Sequence, residues 1–183
     1  MTMGRGSALP DFPASEWGKE ALAQMAVRPA SSDDIPFLKE LYRALRFDEV
    51  AAISWSPEER QDFLDSQFDL QHRHYVAAFP RADFLLIQKG AAPAGRLYVD
   101  RSIDAWHILD IGLLPSFRNR GIATALLTRL QSQASETRAS GISLHVARDN
   151  SGALRLYRRL GFVEDGESET HFRMRWGVRC VSP

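Results

Sequence analysis

Arg118-Asn119-Arg120-Gly121-Ile122-Ala123 joins an apolar run, Ile108-Leu109-Asp110-Ile111-Gly112-Leu113-Leu114-Pro115, to a helix-patterned segment that opens at Ile122. A helix start presents N–H groups without intrahelical partners and the positive end of the peptide macrodipole. Where small residues let a ligand approach, such a start holds phosphate. Gly121 and Ala123 are small and Arg118 and Arg120 add positive charge, so the stretch reads as a pyrophosphate cradle with the backbone N–H groups of Arg118, Asn119, Arg120, Gly121, Ile122 and Ala123 as donors. Without a ligand it reads as an ordinary helix start carrying surface arginines. It lacks the Gly-Lys-Ser/Thr of a P-loop and the Gly-x-Gly-x-x-Gly of a dinucleotide fold, which disfavours nucleotide hydrolysis and hydride transfer.

A second block lies downstream, Val146-Ala147-Arg148-Asp149-Asn150-Ser151-Gly152-Ala153-Leu154-Arg155-Leu156-Tyr157-Arg158-Arg159-Leu160-Gly161-Phe162. The first stretch resembles the acyl-CoA-binding motif of the GNAT superfamily of N-acetyltransferases, Arg/Gln-x-x-Gly-x-Gly/Ala after a strand. The second resembles that family's strand, Asn, helix and Leu-Gly-Phe block, and the two stand in family order at family spacing. The resemblance covers roughly residues 25–176. It implies an α+β GNAT fold: a central, mostly antiparallel twisted sheet of about seven strands with four helices, splayed between the fourth and fifth strands to receive pantetheine. It also implies a bulge on the fourth strand, for which Gly112 is the expected place because a strand-interior glycine often marks one.

The resemblance further implies acetyl transfer from acetyl-CoA to an amine, with a role for each of several residues. Tyr157 matches the tyrosine that protonates the leaving thiolate; its ordinary pKa of about 10 keeps the hydroxyl protonated at neutral pH. Periodicity alone reads it equally well as a core tyrosine. Asn150 matches the asparagine that contacts the pantetheine arm, and it is also a sound helix cap. The backbone N–H of Leu113 is the expected oxyanion donor. His107 aligns with the strand position where some members carry a glutamate base; Asp110 on the same strand and His145 on the next are the other candidates, beside proton transfer through water. The acceptor pocket implied by the family falls on Phe47, Trp55, Gln67, His72, His74 and Tyr75, with Arg96 and Tyr98 from the third strand. Phe47, Trp55, His74 and Tyr98 are the expected lining, although core packing explains Phe47 and Trp55 as well. His72 and His74 are two apart on a helix and do not lie side by side, which argues against a metal pair.

The elements that must position these groups follow from pattern and punctuation. Residues 24–28 read as a strand, and Ser32 or Asp33 as the cap of a helix carrying Ile35, Leu38, Leu41 and Leu45 at three- and four-residue steps. Ser56-Pro57 opens a second helix running towards Tyr75. A hairpin turns at Gly90-Ala91-Ala92-Pro93, residues 105–114 form the fourth strand, and residues 142–146 the fifth. The last helix ends at Gly161 with Phe162 as its apolar clamp, and a closing hairpin over residues 162–165 and 170–176 offers a surface for a homodimer. Residues 1–20, rich in Gly, Pro, Ser and Ala, read as a flexible N-terminal extension, and residues 21–183 as one domain.

The formal charge is zero, 23 basic against 23 acidic residues, so no whole-molecule field favours nucleic acid or anionic lipid. Cys180 is the one cysteine, which excludes an intrachain disulfide and any Cys-rich zinc site and leaves no thiol near the motifs to act as nucleophile. No apolar run has signal-peptide or membrane-spanning length, so the expected compartment is the cytoplasm. The reading is a direct-transfer acetyltransferase acting on a small-molecule or peptide amine without a metal. A non-catalytic acyl-CoA-binding regulatory module and a protein- or tRNA-directed acetyltransferase are the alternatives.

Overall fold

The computed structural model describes residues 8–15, 17, 20–22 and 25–177. Strands β1 (Glu20–Leu22) and β2 (Met25–Pro29) lead into helices α1 (Ile35–Val50) and α2 (Pro57–Ala78). Strands β3 (Asp83–Lys89), β4 (Ala92–Asp100) and β5 (Ala105–Leu113) follow, then α3 (Ile122–Glu136), β6 (Gly141–Ala147), α4 (Ser151–Arg159), β7 (Val163–Glu167) and β8 (His171–Gly177). The sheet order is β1-β2-β3-β4-β5-β6-β8-β7. Every neighbouring pair is antiparallel except β5 and β6, the expected fourth and fifth strands. The eighth strand relative to the expected seven is the three-residue β1, which extends the sheet beyond β2.

The helices start where side chains can satisfy their free donors. At α2 the Ser56 hydroxyl accepts from the Glu59 N–H at 3.1 Å and the Glu59 carboxylate accepts from the Ser56 N–H at 2.7 Å, with Pro57 in the first turn. This reciprocal pair is a capping box. At α1 the cap falls on neither Ser32 nor Asp33: a 3-10 turn, Ser32–Asp34, precedes the helix, and the Asp34 carboxylate accepts from the Ser31 N–H at 2.8 Å. Arg28 on β2 grips the same carboxylate through two bonds of 2.7 and 2.8 Å, tying the helix start to the sheet.

Strand alternation builds two apolar layers. Leu85, Ile87, Leu97 and Val99 face one side with Ile142, Leu144 and Met174, under Leu126, Leu127 and Leu130 of α3. Phe84, Leu86 and Tyr98 face the other side, under Leu38, Tyr42, Leu64 and Phe68 of α1 and α2.

Of the extension expected over residues 1–20, the described residues 8–15 and 17 lie against the domain, and residues 1–7, 16, 18 and 19 lie outside the described residues. Leu9 and Phe12 join the α1–α2 layer, and Phe12 meets His72, Phe84 and Tyr98 at 4.7, 5.5 and 6.5 Å between ring centroids. His72 Nε2 lies 2.7 Å from the Pro10 carbonyl, the Ser15 hydroxyl donates to Asp83, and buried Trp17 stacks under the Arg101 guanidinium at 4.8 Å. Leu9 and Phe12 are half-buried and Trp17 is buried, which offsets the entropy that a Gly- and Pro-rich segment loses on ordering. Cys180 lies outside the described residues. No helix among the described residues is long and apolar enough to cross a membrane.

Candidate active site

β5 and β6 pair only from Ala105↔Gly141 to Ile108↔Leu144. Beyond that point β5 stays with β4 and β6 stays with β8, so the two strands separate and leave an opening flanked by Leu109–Leu113 on one side and His145–Ala147 on the other. The splay begins at the bulge. Tyr98 pairs with Asp110 but Val99 pairs with Ile108, so Leu109 is the extra residue. Its carbonyl accepts from the Tyr75 hydroxyl at 3.3 Å. The bulge is therefore at Leu109 and not at Gly112, which pairs in regular register with Arg96. Gly112 has a packing reason instead: an added Cβ would sit 2.6 Å from the Leu45 methyl of α1.

Past the bulge the ladder sets the direction of the backbone donors. The Leu114 N–H donates to the Ala94 carbonyl at 3.0 Å, and antiparallel pairs alternate, so Leu113, opposite Gly95, turns its N–H and carbonyl away from β4 and into the splay. Its carbonyl accepts from Arg118 Nε at 3.2 Å.

The cradle closes one end of this opening. Gly121 is the N-cap of α3 with φ +76°, a left-handed conformation that favours glycine, and no side chain caps the helix. The first intrahelical bond runs from the Ala125 N–H to the Gly121 carbonyl, which leaves the N–H groups of Ile122, Ala123 and Thr124 without helical partners. An added Cβ at Gly121 would meet no atom within 4 Å, so the space beside the helix start on that side is open. Arg118, Asn119 and Arg120 are exposed, and neither arginine has a carboxylate partner among the described residues. A diphosphate fits this donor set and this charge.

Tyr157 projects from α4 and is buried, with Phe162 against its ring at 5.7 Å. Burial, and then the charge of Asp110, push its hydroxyl up to about 12. The group is protonated at every physiological pH, and Asp110 is close enough to act on it. Asn150 caps α4, its side-chain oxygen accepting from the Ala153 N–H at 3.1 Å. Gly161 ends the same helix at φ +82° with buried Phe162 after it, the terminator and clamp that the residue order implied.

Asp110 sits one residue past the bulge on the α1–α2 side of the sheet. One carboxylate oxygen accepts from Arg96 at 2.6 Å, and Arg96 also donates to Gln71 at 2.9 Å. Burial opposes the Arg96 charge, but the Asp110 carboxylate outweighs it and raises the guanidinium pKa. Tyr42 and Tyr98 lie on either side of the guanidinium at 6.0 and 5.1 Å. Burial pushes Tyr75 and Tyr98 up to about 12.

His107 is not at the opening. It lies in the closed part of the β5–β6 pair, opposite Ser143, whose hydroxyl is 2.9 Å from its Nδ1. That hydroxyl donates to the Trp106 carbonyl, so it accepts from Nδ1–H. Burial, and then the neighbouring His145 ring at 5.5 Å, lower the His107 pKa, so the imidazole is neutral at pH 7. Six residues of strand put it about 20 Å from Leu113, whereas Asp110 is about 10 Å away. His145 is exposed.

The four residues expected to line the acceptor side do not converge. Trp55 precedes α2 and packs on Phe63 at 5.0 Å, while His74 lies one turn from the other end of this 22-residue helix. Seventeen residues separate His74 from the first residue of α2, about 25 Å along the axis. Phe47 is 52% exposed at the C-terminal end of α1, and His74 is exposed. Only Tyr98 is beside Asp110. Sequence reasoning missed the third cradle donor, the Thr124 N–H, which the rule of unpaired first-turn donors would have supplied.

The acetyltransferase (GNAT) family pattern matches residues 38–162. The chain belongs to that family. It is 30% identical over 95 residues to an N-alpha-acetyltransferase MAK3 of Arabidopsis thaliana, covering 50% of this chain and 50% of that protein. It is 27% identical over 151 residues to the histone acetyltransferase MCC1 of the same plant, covering 74% of this chain and 58% of that protein. The chain thus spans about half the length of the curated relatives it matches. Among solved structures, the PaiA N-acetyltransferase of Thermoplasma acidophilum in complex with coenzyme A superposes at TM-score 0.64 with 20% identity, covering 84% of this chain and 98% of that one. The spermidine N-acetyltransferase of Vibrio cholerae, in complex with CoA and spermine, superposes at TM-score 0.59 with 20% identity, covering 85% and 96%. These likenesses establish the fold.

Proposed function

We propose that this protein transfers an acetyl group from acetyl-CoA directly to a primary amine of a small molecule or peptide. The observation that carries the reading is one juxtaposition. Past the splay, β5 carries the Leu113 N–H turned away from β4 and leads to an uncapped helix N-terminus, and the Asp110 carboxylate on the same stretch is near enough to the buried Tyr157 hydroxyl to act on it.

Each group has one task. The N–H groups from Arg118 to Thr124, with the guanidinium groups of Arg118 and Arg120, hold the pyrophosphate, and Asn150 borders the arm that leads inward. Acetyl-CoA, when bound, supplies an acyl group activated as a thioester. The Leu113 N–H donates to the carbonyl oxygen as negative charge develops there; a fixed donor of this kind contributes about 3 kcal/mol. Asp110 takes the proton that an alkylammonium acceptor, pKa about 10.4, must lose before its nitrogen attacks, directly or through one water. As the carbon–sulfur bond breaks, the Tyr157 hydroxyl gives its proton to sulfur and is reprotonated, through water, by the second proton that the nitrogen sheds as the amide forms. Asp110 is preferred to His107 because it is on the open stretch of β5 and its charge reaches Tyr157, whereas His107 is paired and distant.

The test is thiol release from acetyl-CoA against a panel of N-terminal peptides, histone-tail peptides, polyamines, amino acids and aminoglycosides. Turnover with at least one amine, dependent on Tyr157, supports the reading. Tight CoA binding with no thiol release against any of them would make it a regulatory acyl-CoA-binding module.

A further inference from the structure

Arg96 is among the most deeply buried side chains of the protein, 2% exposed, and it carries a full positive charge. A guanidinium offers five N–H donors. Here Nη2 serves Asp110 and Gln71, while Nε and Nη1 have no partner among the described residues, and neither does the nearby Tyr98 hydroxyl. Asp110 is the one carboxylate within ion-pair distance of it among the described residues. A purely structural buried ion pair is expected to satisfy its donors, because each donor left unmet in a dry interior is costly. This arrangement does the opposite: it concentrates the charge compensation of a buried cation on one oxygen of one carboxylate.

That carboxylate faces two ways. Oδ2 is held by Arg96, and the side chain remains 17% exposed. Gly112, two residues on, contributes no side chain that could hold Asp110 from the strand. Tyr42, Tyr75 and Tyr98 surround the pair with rings whose hydroxyls remain protonated, and Arg46 lies over Tyr42 at 5.7 Å, paired to Glu49. Among the described residues Arg96 is the one hydrogen-bond and ion-pair partner of the Asp110 carboxylate.

We propose that Arg96 is the positioning residue for Asp110: it clamps one carboxylate oxygen from the neighbouring strand, on the same face of the sheet, so that the other points to the acceptor amine. The inference rests on Asp110 being the base of the reaction above. Gln71 belongs to the same device, since its carbonyl oxygen holds the guanidinium from α2.

The test is a double-mutant cycle on the full chain, using acetyl-CoA and the panel amine with the highest turnover. Arg96→Lys keeps the charge but, with a shorter side chain, withdraws the nitrogen that Nη2 places between Asp110 and Gln71. It should lower kcat about tenfold with the KM for acetyl-CoA unchanged, and cost less than twofold in an Asp110→Asn background. Gln71→Met, which leaves no carboxylate unpaired and so avoids a folding defect, should show the same pattern at a few-fold. Multiplicative losses in the double variants would overturn the proposal by making Arg96 a scaffold residue. Wild-type turnover in Asp110→Asn would remove the base itself. Loss in Asp110→Asn with none in Arg96→Lys or Gln71→Met would remove only the clamp. Crystal structures give a readout that needs no acceptor: Asp110 should occupy more than one rotamer in Arg96→Lys, and a single unchanged rotamer would overturn the proposal.

Discussion

Gly121 separates backbone strain from ligand space, and the two can be measured independently. Its φ of +76° forces any L-residue there into the left-handed region, and an added Cβ meets no protein atom within 4 Å. The folding cost of Gly121→Ala is therefore the conformational cost alone, about 1–2 kcal/mol. For a chain of this size that lowers Tm by about 2–8 °C, well inside the 5–15 kcal/mol that a native domain holds. Binding should suffer more. The Cβ enters open space at the cradle, and if that space is where the diphosphate sits, losing two charge-assisted hydrogen bonds at about 1.5–3 kcal/mol each weakens CoA by roughly 10²–10⁴-fold. Gly161→Ala is the matched control: φ is +82° and the new Cβ makes an ordinary 3.6 Å contact with Trp176, so strain is similar and the cradle is untouched. Calorimetric titration with CoA and thermal melts on both variants give the answer. Equal CoA affinity in folded Gly121→Ala and wild type, or equal loss in both variants, would refute the cradle.

Tyr157→Phe removes a hydroxyl that accepts and donates no protein hydrogen bond among the described residues, so Tm should hardly move while kcat falls by roughly 10²–10⁴ and CoA affinity stays; unchanged turnover would return Tyr157 to the core. His107→Ala should leave kcat and the pH profile near wild type, and a large loss with a shifted acidic limb would move the base from Asp110 to His107. Burial lowers the pKa of His72, so the unfolded chain binds more protons below about pH 6.5 and stability falls as pH drops through that window. His107 behaves alike, whereas Asp34, whose pKa is lowered by Arg28 and Ser31 against the cost of burial, acts only below about pH 4. Denaturant melts of His72→Gln between pH 5 and 7 should show a shallower loss than wild type, and an identical slope would exclude His72.

Elements with local signals were legible. Ser56-Pro57 with Glu59 spells a capping box, Gly161-Phe162 a helix terminator, and Gly90 a hairpin turn with φ +60°. The cradle was legible for the same reason, since its donors are consecutive residues and its small residues and arginines are contiguous. The acceptor side was not. Phe47, Trp55, His74 and Tyr98 come from four separate places; the helix expected from Ser56-Pro57 to Tyr75 already set Trp55 and His74 at opposite ends, and how the helices sit on the sheet, which residue types do not carry, decides that only Tyr98 lies beside Asp110. The packing of residues 8–15 and 17 was not legible for a related reason: composition reports the entropy a segment loses on ordering, but not whether a groove beside His72 and Tyr98 awaits one phenylalanine.

The bulge shows the limit most sharply. Glycine permits a bulge, so Gly112 was the natural place for one, yet permission is not cause. The register breaks at Leu109, an unremarkable strand residue, where the Tyr75 hydroxyl from α2 satisfies the carbonyl that the bulge frees and where the pairing of β5 with β6 ends while β6 stays paired with β8. Gly112 answers to a different neighbour, Leu45 on α1. Both are tertiary facts, and the direction of the Leu113 N–H depends on the extra residue: without it Leu113 would fall opposite Ala94, the position that donates to β4, and its N–H would turn back into the ladder. The oxyanion donor of the proposed reaction is thus set by residues far from it in sequence, and a substitution such as Tyr75→Phe could disturb catalysis without touching any group that meets the substrate.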